Sequence, residues 1–508
     1  MPRVAFFSLL LLLPLLFSSV QAGPEAPANP ARPIQIPKVW DEAQLAAMDL
    51  PLPNTAVKMK HVSPEYYYRL EVRPIYKSYP VYHPDREPAG YLEWLKQQEP
   101  EIAFDPAKLK TEQDWIQAGE LVFEAPLGFN GLAKLERVRD PKWYAAGKVP
   151  VGKDGVAPFF RYVIREKGKV EVGEFSCATC HSRVMSDGST IKGAQGNFPL
   201  EHLDEIALKE RFANPERPEE ALAGVRRFTR SRFATPWIQP DPLQALDSMS
   251  IEDIATAYGQ MPAGVQARDE ASILIPVQVP DLIGIKDRRY FDRTGRSRHR
   301  DISDLMRYAA FVQGAFSWSS YGDYLPAGSL PEPPRGKRYS DEQLYALALY
   351  LYSLEFPENP HKPDALSQFG QQIFVREGCE GCHTPPLYSS NKLTPTVGFE
   401  VPEDHPAKAD ILPFSVGTDP ALTLRTRKGT GLYKVPSLRG VWYRGPLEHS
   451  GSVATLEDWF DPRRLRDDYV PTGWVGYKVQ TRAVSGHKFG LDLSEKDRKA
   501  LIAFLRTL

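Results

Sequence analysis

All four cysteines of this 508-residue chain lie in two copies of the pattern Cys-x-x-Cys-His. The copies are Cys177-Ala178-Thr179-Cys180-His181 and Cys379-Glu380-Gly381-Cys382-His383. This spacing attaches a c-type haem: two thiols bind the porphyrin, and the histidine that follows becomes the proximal ligand of the iron. A four-cysteine zinc site and two tight disulfides are the alternatives. Zinc sites usually bring their cysteine pairs within a few tens of residues, and neither alternative explains the two histidines. The sequence therefore predicts two covalently attached haem c groups.

The amino terminus has the pattern of an export signal. Arg3 precedes an apolar run from Val4 to Phe17, and the small residues that end at Ala22 follow it. The run is short for a membrane span, so we predict a signal peptide over residues 1–22, with an uncleaved anchor as the alternative. No later segment is apolar enough to span a bilayer, and the predicted location is periplasmic or secreted.

Length and charge limit the architecture and the partners. The chain is too long for one small cytochrome, and its 63 basic and 64 acidic residues do not favour a nucleic-acid partner. Proline is concentrated in residues 23–54 and again in residues 355–363. The predicted domains are a Pro-rich N-terminal extension (23–112), a first haem domain (113–355), a linker (356–364) and a second haem domain (365–508).

The chain repeats itself weakly after each cysteine motif. The first motif is followed by the segment Val279-Pro280-Asp281-Leu282-Ile283-Gly284-Ile285, and the second by Val435-Pro436-Ser437-Leu438-Arg439-Gly440-Val441. Helix-start patterns follow at Asp301 and Thr455, and 39 residues after each of them a serine begins a closing helix, at Ser340 and Ser494. We interpret the chain as two versions of one cytochrome-c-like unit, in a mainly α fold with an irregular N-terminal extension.

The second haem is expected to have two histidine ligands. His487 lies seven residues before Ser494, and no methionine follows His383 in the chain. His405 lies in a segment expected to be a surface loop, and His449 lies in a turn-rich segment suited to a supporting hydrogen bond. We therefore predict His487 as the distal ligand of a bis-histidine, low-spin haem.

The first haem is expected to differ. Pro333 stands at the position that corresponds to His487 and cannot ligate iron. His299 is expected to be solvated, and the methionines Met249, Met261 and Met306 are of a type that usually fills cores. An open sixth position that binds dioxygen or peroxide is the favoured interpretation.

With these motifs the chain resembles the bacterial di-haem cytochrome c peroxidase and MauG-type superfamily, over roughly residues 113–508. The resemblance rests on the two haem motifs, on Val435–Val441 leading into Pro446-Leu447-Glu448-His449-Ser450-Gly451-Ser452, and on the closing helix. It implies a reactive amino-terminal haem, a carboxy-terminal haem that relays electrons, and His487 as the distal ligand of the relay haem.

The chain departs from the peroxidase pattern at the reactive haem. Peroxidase members carry a glutamine and a glutamate there, and this chain has approximately Leu305 and Ala315 or Phe316 at those positions. Cleavage of bound peroxide then loses its general acid. An apolar distal face that includes Phe291, Leu305 and Met306 is similar to that of the rubber-oxygenase branch, which implies dioxygen and an apolar organic substrate.

The predicted function is a periplasmic di-haem oxidoreductase that uses dioxygen or hydrogen peroxide and exchanges electrons with a periplasmic donor or acceptor. The alternatives are an electron-transfer cytochrome with both haems six-coordinate, and a redox module that docks another protein through residues 23–112. Arg439 is predicted to pair with a haem propionate, because a buried carboxylate needs a cation. An ordinary surface arginine is the alternative for Arg439.

Overall fold

The computed structural model describes residues 35–268 and 270–508, without the side chains of Ala315 and Phe316. The predicted signal peptide and most of the Pro-rich start lie outside the described residues. The helices of the described part are α1 (Glu42–Met48), α2 (Pro64–Tyr68), α3 (Tyr91–Lys96), α4 (Glu112–Glu124), α5 (Leu135–Val138), α6 (Pro141–Gly147), α7 (Cys177–Cys180), α8 (Leu200–Arg211), α9 (Pro218–Phe233), α10 (Ile251–Gly259), α11 (Ile302–Val312), α12 (Asp341–Ser353), α13 (Ala365–Arg376), α14 (Ala421–Leu424), α15 (Leu456–Trp459) and α16 (Glu495–Arg506).

The strands of the same part are short, apart from a few around residue 160. They are β1 (Met59–Lys60), β2 (Glu71–Val72), β3 (Ser78–Tyr82), β4 (Gly128–Phe129), β5 (Val156–Glu166), β6 (Lys169–Glu174), β7 (Ser182–Val184), β8 (Thr190–Lys192), β9 (Val265–Gln266), β10 (Val277–Gln278), β11 (Tyr290–Phe291), β12 (Ser297–Arg298), β13 (Ser320–Tyr321), β14 (Lys337–Arg338), β15 (Leu393–Pro395) and β16 (Leu432–Lys434).

A four-stranded antiparallel sheet lies directly before the first cysteine motif. Its strand order is β3-β5-β6-β4, and β5 and β6 form a hairpin in which Glu166 pairs with Lys169. β-branched and aromatic side chains favour these strands, and one aromatic cluster of the sheet packs Trp143, Phe159 and Phe160 around Phe198. The sheet positions the site, because α7 follows β6 within three residues and the Thr179 hydroxyl donates to the Phe159 carbonyl at 2.9 Å.

The prediction of a mainly α chain holds only in part. The structure is 34% helical and 13% strand. The predicted irregular extension is also more ordered than expected beyond residue 37, since α1, α2 and α3 form there and β3 is an edge strand of the sheet. β3 pairs with β5, Ser78 opposite Val163, and such distant pairing leaves little local trace in a sequence. Residues Pro37–Leu508 form one unit by their contacts, and the domain boundaries near 112 and 356–364 remain predictions.

The closing helices begin where the serines indicate. Ser340 and Gln343 form a reciprocal capping box at the start of α12. The Ser494 side chain accepts the Asp497 N–H at the start of α16, while the Asp497 carboxylate pairs with Arg376 at 2.9 Å instead of returning to the cap. Both predicted helix starts are confirmed, the second without the reciprocal bond.

Each closing helix packs against an earlier helix at a glycine. A methyl group on Gly119 of α4 would overlap the carbonyl oxygen of Ala346 in α12, and one on Gly370 of α13 would overlap that of Ala500 in α16. Ala346 and Ala500 each lie six residues after the capping serine. The two helix pairs therefore cross at equivalent positions, which agrees with the internal repeat.

Within the described residues, no helix has the length and apolar character that crossing a membrane requires.

Candidate haem-binding sites

The first cysteine pair lies on the single turn of α7. Ser176 and Thr179 form a capping box that fixes this turn. The side chain of Gln313, at the end of α11, donates to the Cys177 sulfur at 3.3 Å, and the Gln266 amide lies 3.4 Å from the Cys180 sulfur. Both thiols are therefore held from outside α7, by residues that the sequence did not single out.

His181 is oriented by a backbone carbonyl. Its Nδ1–H donates to the Pro280 carbonyl at 3.0 Å. That bond selects the tautomer in which Nε2 carries the free lone pair, the arrangement of a metal-ligating histidine. Desolvation lowers the pKa of His181 to about 4, so the ring stays neutral and able to ligate at neutral pH. Pro280 belongs to the repeated Val-Pro segment, and this repeat could have indicated the hydrogen-bond partner of His181.

His383 has an equivalent support in the second unit. Its Nδ1–H donates to the Tyr388 carbonyl at 3.1 Å, and the Pro436 backbone also lies within hydrogen-bonding reach. The side chain is buried, and desolvation lowers its pKa. The Pro280 and Pro436 segments therefore each stand beside the histidine of a Cys-x-x-Cys-His motif.

His487 faces His383 across a gap. The two ring centroids are 6.3 Å apart and the ring planes meet at 57°. Two metal–nitrogen bonds of about 2 Å, with about 1.1 Å from each nitrogen to its ring centre, place two imidazoles on one metal about 6 Å apart. Desolvation, and then the nearby His383, lower the pKa of His487 to about 3. The pair thus has the separation and the neutral charge state that a shared iron requires.

A cavity of about 240 Å³ contains this gap. Both histidines and both cysteines of the second motif line it, together with apolar side chains such as Phe374, Leu438, Val441, Leu447, Trp459 and Leu501. The donor set, the apolar lining and the ring separation fit a covalently attached haem, which His383 and His487 would hold.

The segment that carries His487 is held by one buried arginine. Arg464 is 1% exposed, and its guanidinium donates to the carbonyls of Val484, Gly486 and His487 at 2.7, 2.9 and 2.8 Å. His487 itself has a φ of +45°, a left-handed conformation that is uncommon for a residue other than glycine. Arg464 was not predicted from the sequence, since only the three-dimensional path of residues 484–487 brings it to His487.

The predicted distal residues of the first haem are buried, but the structure does not join them to His181. The Phe291 ring stacks on that of Tyr308, and it also contacts that of His299 at an angle of 34°, with 4.6 Å between ring centres in both cases. Leu305 and Met306 are buried on α11. Met306 lies seven residues before Gln313 and therefore on the same helix face as the residue that touches Cys177. The placement of all three at the first haem stays a prediction.

One expectation about a histidine was wrong. His299, expected to be solvated, is buried: its Nδ1–H donates to the Arg288 carbonyl and its Nε2 accepts from the Tyr352 hydroxyl, both at 2.6 Å. His405 lies in an exposed loop, as expected, although its own side chain is 2% exposed. Tyr352, which is distant in the sequence, helps to cover the His299 ring, and the polar residues next to His299 gave no sign of it.

No disulfide joins any of the four cysteines. Across the described ranges, no group of three or more histidine, cysteine, aspartate and glutamate side chains gathers as a metal ion would require. Neither a four-cysteine zinc site nor a disulfide is formed.

No family model matches the chain, and a search of curated proteins finds no match. Among solved structures, it is similar to Kuenenia stuttgartiensis hydrazine synthase pressurized with 20 bar xenon, at 20% identity over 58% of this chain and 89% of that one, with a TM-score of 0.29. It is also similar to a MauG-like protein associated with microbial copper homeostasis, at 19% identity over 33% of this chain and 56% of that one, with a TM-score of 0.22.

Proposed function

We propose that the chain is a periplasmic di-haem c-type cytochrome that acts as an oxidoreductase on dioxygen or peroxide. The observation that carries the proposal is the asymmetry of the two Cys-x-x-Cys-His sites. His383 has a second histidine ring, His487, at 6.3 Å. Among the described residues, His181 has no such ring partner. One site is thus suited to a six-coordinate haem that moves electrons, and the other to a haem with an open position.

Haem supplies electron transfer in both sites, and in an open site it binds dioxygen or peroxide. The chain's own residues determine which site transfers electrons and which site binds dioxygen or peroxide. The Pro280 carbonyl fixes the His181 tautomer, and desolvation keeps the ring neutral. His383 and His487 close both faces of the second site and exclude an external ligand there.

We assign Phe291, Leu305 and Met306 to the distal side of the first haem. Their burial, at 3%, 2% and 0% exposure, supports an apolar surface that keeps water away. The position of Met306 on the helix face that reaches Cys177 supports its placement. An apolar organic molecule is the substrate class that such a surface favours, and a periplasmic protein is the proposed electron partner.

Optical and EPR spectra of the purified protein, oxidised and half-reduced, with and without carbon monoxide, test the proposal. We expect one low-spin haem that does not bind carbon monoxide and one haem that binds it. His487→Ala should convert the low-spin haem to a high-spin, gas-binding one, while covalent haem content stays unchanged. The control His361→Ala removes an exposed histidine of the linker and should change neither signal.

Two results would count against the proposal. Two low-spin haems that ignore carbon monoxide in both redox states would favour the electron-transfer cytochrome. An unchanged low-spin signal in His487→Ala would remove His487 as a ligand.

A further inference from the structure

A small cavity of about 30 Å³ lies beside the cavity of the second site. Arg293, Lys434 and Arg444 line both cavities, so the two adjoin. The small cavity is also lined by Pro280 and by Pro436. Pro280 accepts the hydrogen bond of His181, and the Pro436 backbone stands beside His383. The small cavity therefore touches the supports of both proximal histidines.

Four cationic side chains line the small cavity: Arg288, Arg293, Lys434 and Arg444. The hydrogen bonds described for them go to backbone carbonyls. Lys434 Nζ donates to the Tyr290 carbonyl at 3.1 Å, and Arg444 Nη2 to the Ser437 carbonyl at 2.6 Å. The Nε atoms of Arg293 and Arg444 are buried and have no hydrogen-bond partner among the described residues. Carbonyl dipoles thus solvate these cations, but they do not neutralise them.

The acidic groups nearby are too few to balance four cations. Asp281 is the buried carboxylate of the small cavity; it accepts the Tyr443 hydroxyl at 2.6 Å and lies 3.9 Å from Arg444 Nε. Asp287, which also lines the cavity, is exposed to solvent. Asp292 pairs with Lys428 at 2.7 Å. The cluster therefore keeps an excess of positive charge away from water, which is unfavourable without an anion.

The desolvation of these cations is severe. Burial, followed by Arg288 and Arg293, lowers the pKa of Lys434 well below its usual range. Burial, followed by Arg444 and Arg288, lowers the pKa of Arg293 to about 9. Mutual repulsion in a desolvated site is what an incoming anion would relieve.

We propose that Arg288, Arg293, Lys434 and Arg444 form an anion site for carboxylates, and that the propionates of the two haems meet in it. This inference rests on the proposed function, since the haems supply the propionates. Arg293, Lys434 and Arg444 already line the cavity of the second haem, and Pro280 brings the first haem's support to the same place. An inorganic anion from solution has the same chemistry and is distinguished by the test.

Cations beside a haem also favour its reduction, because the reduced iron carries one positive charge fewer. The cluster therefore raises the reduction potentials of the haems that it contacts. Arg439, the sequence-based candidate for a propionate partner, lines the same small cavity, with its guanidinium 4.1 Å from the centre of the Phe356 ring.

The test replaces Lys434 with methionine, which keeps the length of the side chain and removes its charge. We expect the thermal midpoint of Lys434→Met to fall, because the bound anion loses a partner. We also expect the ratio of reduced to oxidised second haem, at a fixed potential, to fall about tenfold, or about 59 mV. The control Lys392→Met neutralises an exposed lysine near Cys382 that lies outside the cavity, and it should change both values much less. Arg293→Gln is the second variant should Lys434→Met fail to fold.

Sodium phosphate at constant ionic strength separates the two sources of the anion. In one outcome, the reduction potential and the thermal midpoint of the wild type do not change with phosphate, and both are lower in Lys434→Met. This outcome supports the propionates as the bound anions. Values that follow phosphate in the wild type and not in the variant support the anion site with a solution anion in it. A raised midpoint in Lys434→Met without a change in potential, or no change in either, overturns the proposal. Gas binding at the first haem tests the proposed function separately.

Discussion

Glu201 and Asp204 form a desolvated carboxyl pair outside both haem sites. They lie three residues apart on α8, and Glu201 Oε1 accepts the Ala267 N–H at 2.8 Å. Desolvation, followed by the charge of Asp204, raises the pKa of Glu201, and desolvation also raises that of Asp204. The folded chain therefore keeps protons here at a pH where the unfolded chain has released them.

The sign of this linkage gives a prediction for pH. A carboxyl whose folded pKa is raised stabilises the fold fully below its unfolded pKa, and this contribution is lost as pH rises through the folded value. Glu201→Gln mimics the protonated acid, so we expect it to flatten the fall in the free energy of unfolding between pH 5 and pH 8. Each unit of pKa shift changes the free energy of unfolding by about 1.4 kcal/mol. Urea unfolding at both pH values measures it.

Glu210→Gln provides the matched control for this pH dependence. Glu210 lies on the same helix and is exposed, and its partner is Arg137 at 2.6 Å. Its variant should keep the wild-type slope. An unaltered slope in Glu201→Gln would show that this carboxyl titrates normally.

At the scale of elements, Arg464 joins the 3₁₀ helix Pro462–Leu465 to the segment that carries His487. A lysine at this position keeps the charge but loses the planar fork that reaches several carbonyls at once. We expect Arg464→Lys to loosen His487, so that EPR shows a high-spin fraction at the second haem alone. Arg463→Lys, at an exposed arginine that pairs with Asp461, is the control and should leave the spectrum unchanged. A fully low-spin spectrum in Arg464→Lys would mean that packing alone positions His487.

The glycine crossings give the second prediction at this scale. Gly119→Ala and Gly370→Ala place a methyl group against a backbone carbonyl of the facing helix, and we expect each to lower the free energy of unfolding by about 1–3 kcal/mol. Gly224→Ala, in α9 with nothing within 4 Å of the new atom, should instead stabilise by about 0.5–1 kcal/mol. Chemical denaturation measures the three variants. Equal changes at all three positions would contradict the close crossing.

The same elements show what the sequence could predict. Ser340 and Ser494 identified the starts of α12 and α16, because a cap depends on residues three positions apart. The sheet was not predicted, since β3 and β5 are separated by more than seventy residues. The two histidines predicted as proximal ligands follow from a five-residue motif. The cationic cluster could not be foreseen, because β16 and three separate loop positions contribute its members.

At the scale of the whole molecule, we propose that two versions of one helical unit carry different chemistry. The Val-Pro segments, the helix crossings and the motifs are alike in both units. The histidine at 487 has no counterpart in the first unit, where Pro333 stands. Under the proposed function, one repeated scaffold would separate an electron-relay site from an open site by a change of distal ligand.

The division of roles predicts opposite effects for the two cysteine pairs. Cys177→Ser with Cys180→Ser should remove one haem and all carbon monoxide binding, while the low-spin signal of the His383–His487 pair remains. Cys379→Ser with Cys382→Ser should leave carbon monoxide binding intact and remove the low-spin signal, because His487 then has no covalently held haem to ligate. Turnover with dioxygen or peroxide should disappear in the first variant. In the second variant turnover should slow, since the relay haem is gone.

Haem content by pyridine haemochrome, together with EPR of each variant, measures these outcomes. Gas binding that survives in the first variant and disappears in the second would assign the reactive haem to His383 and reverse the roles of the two units.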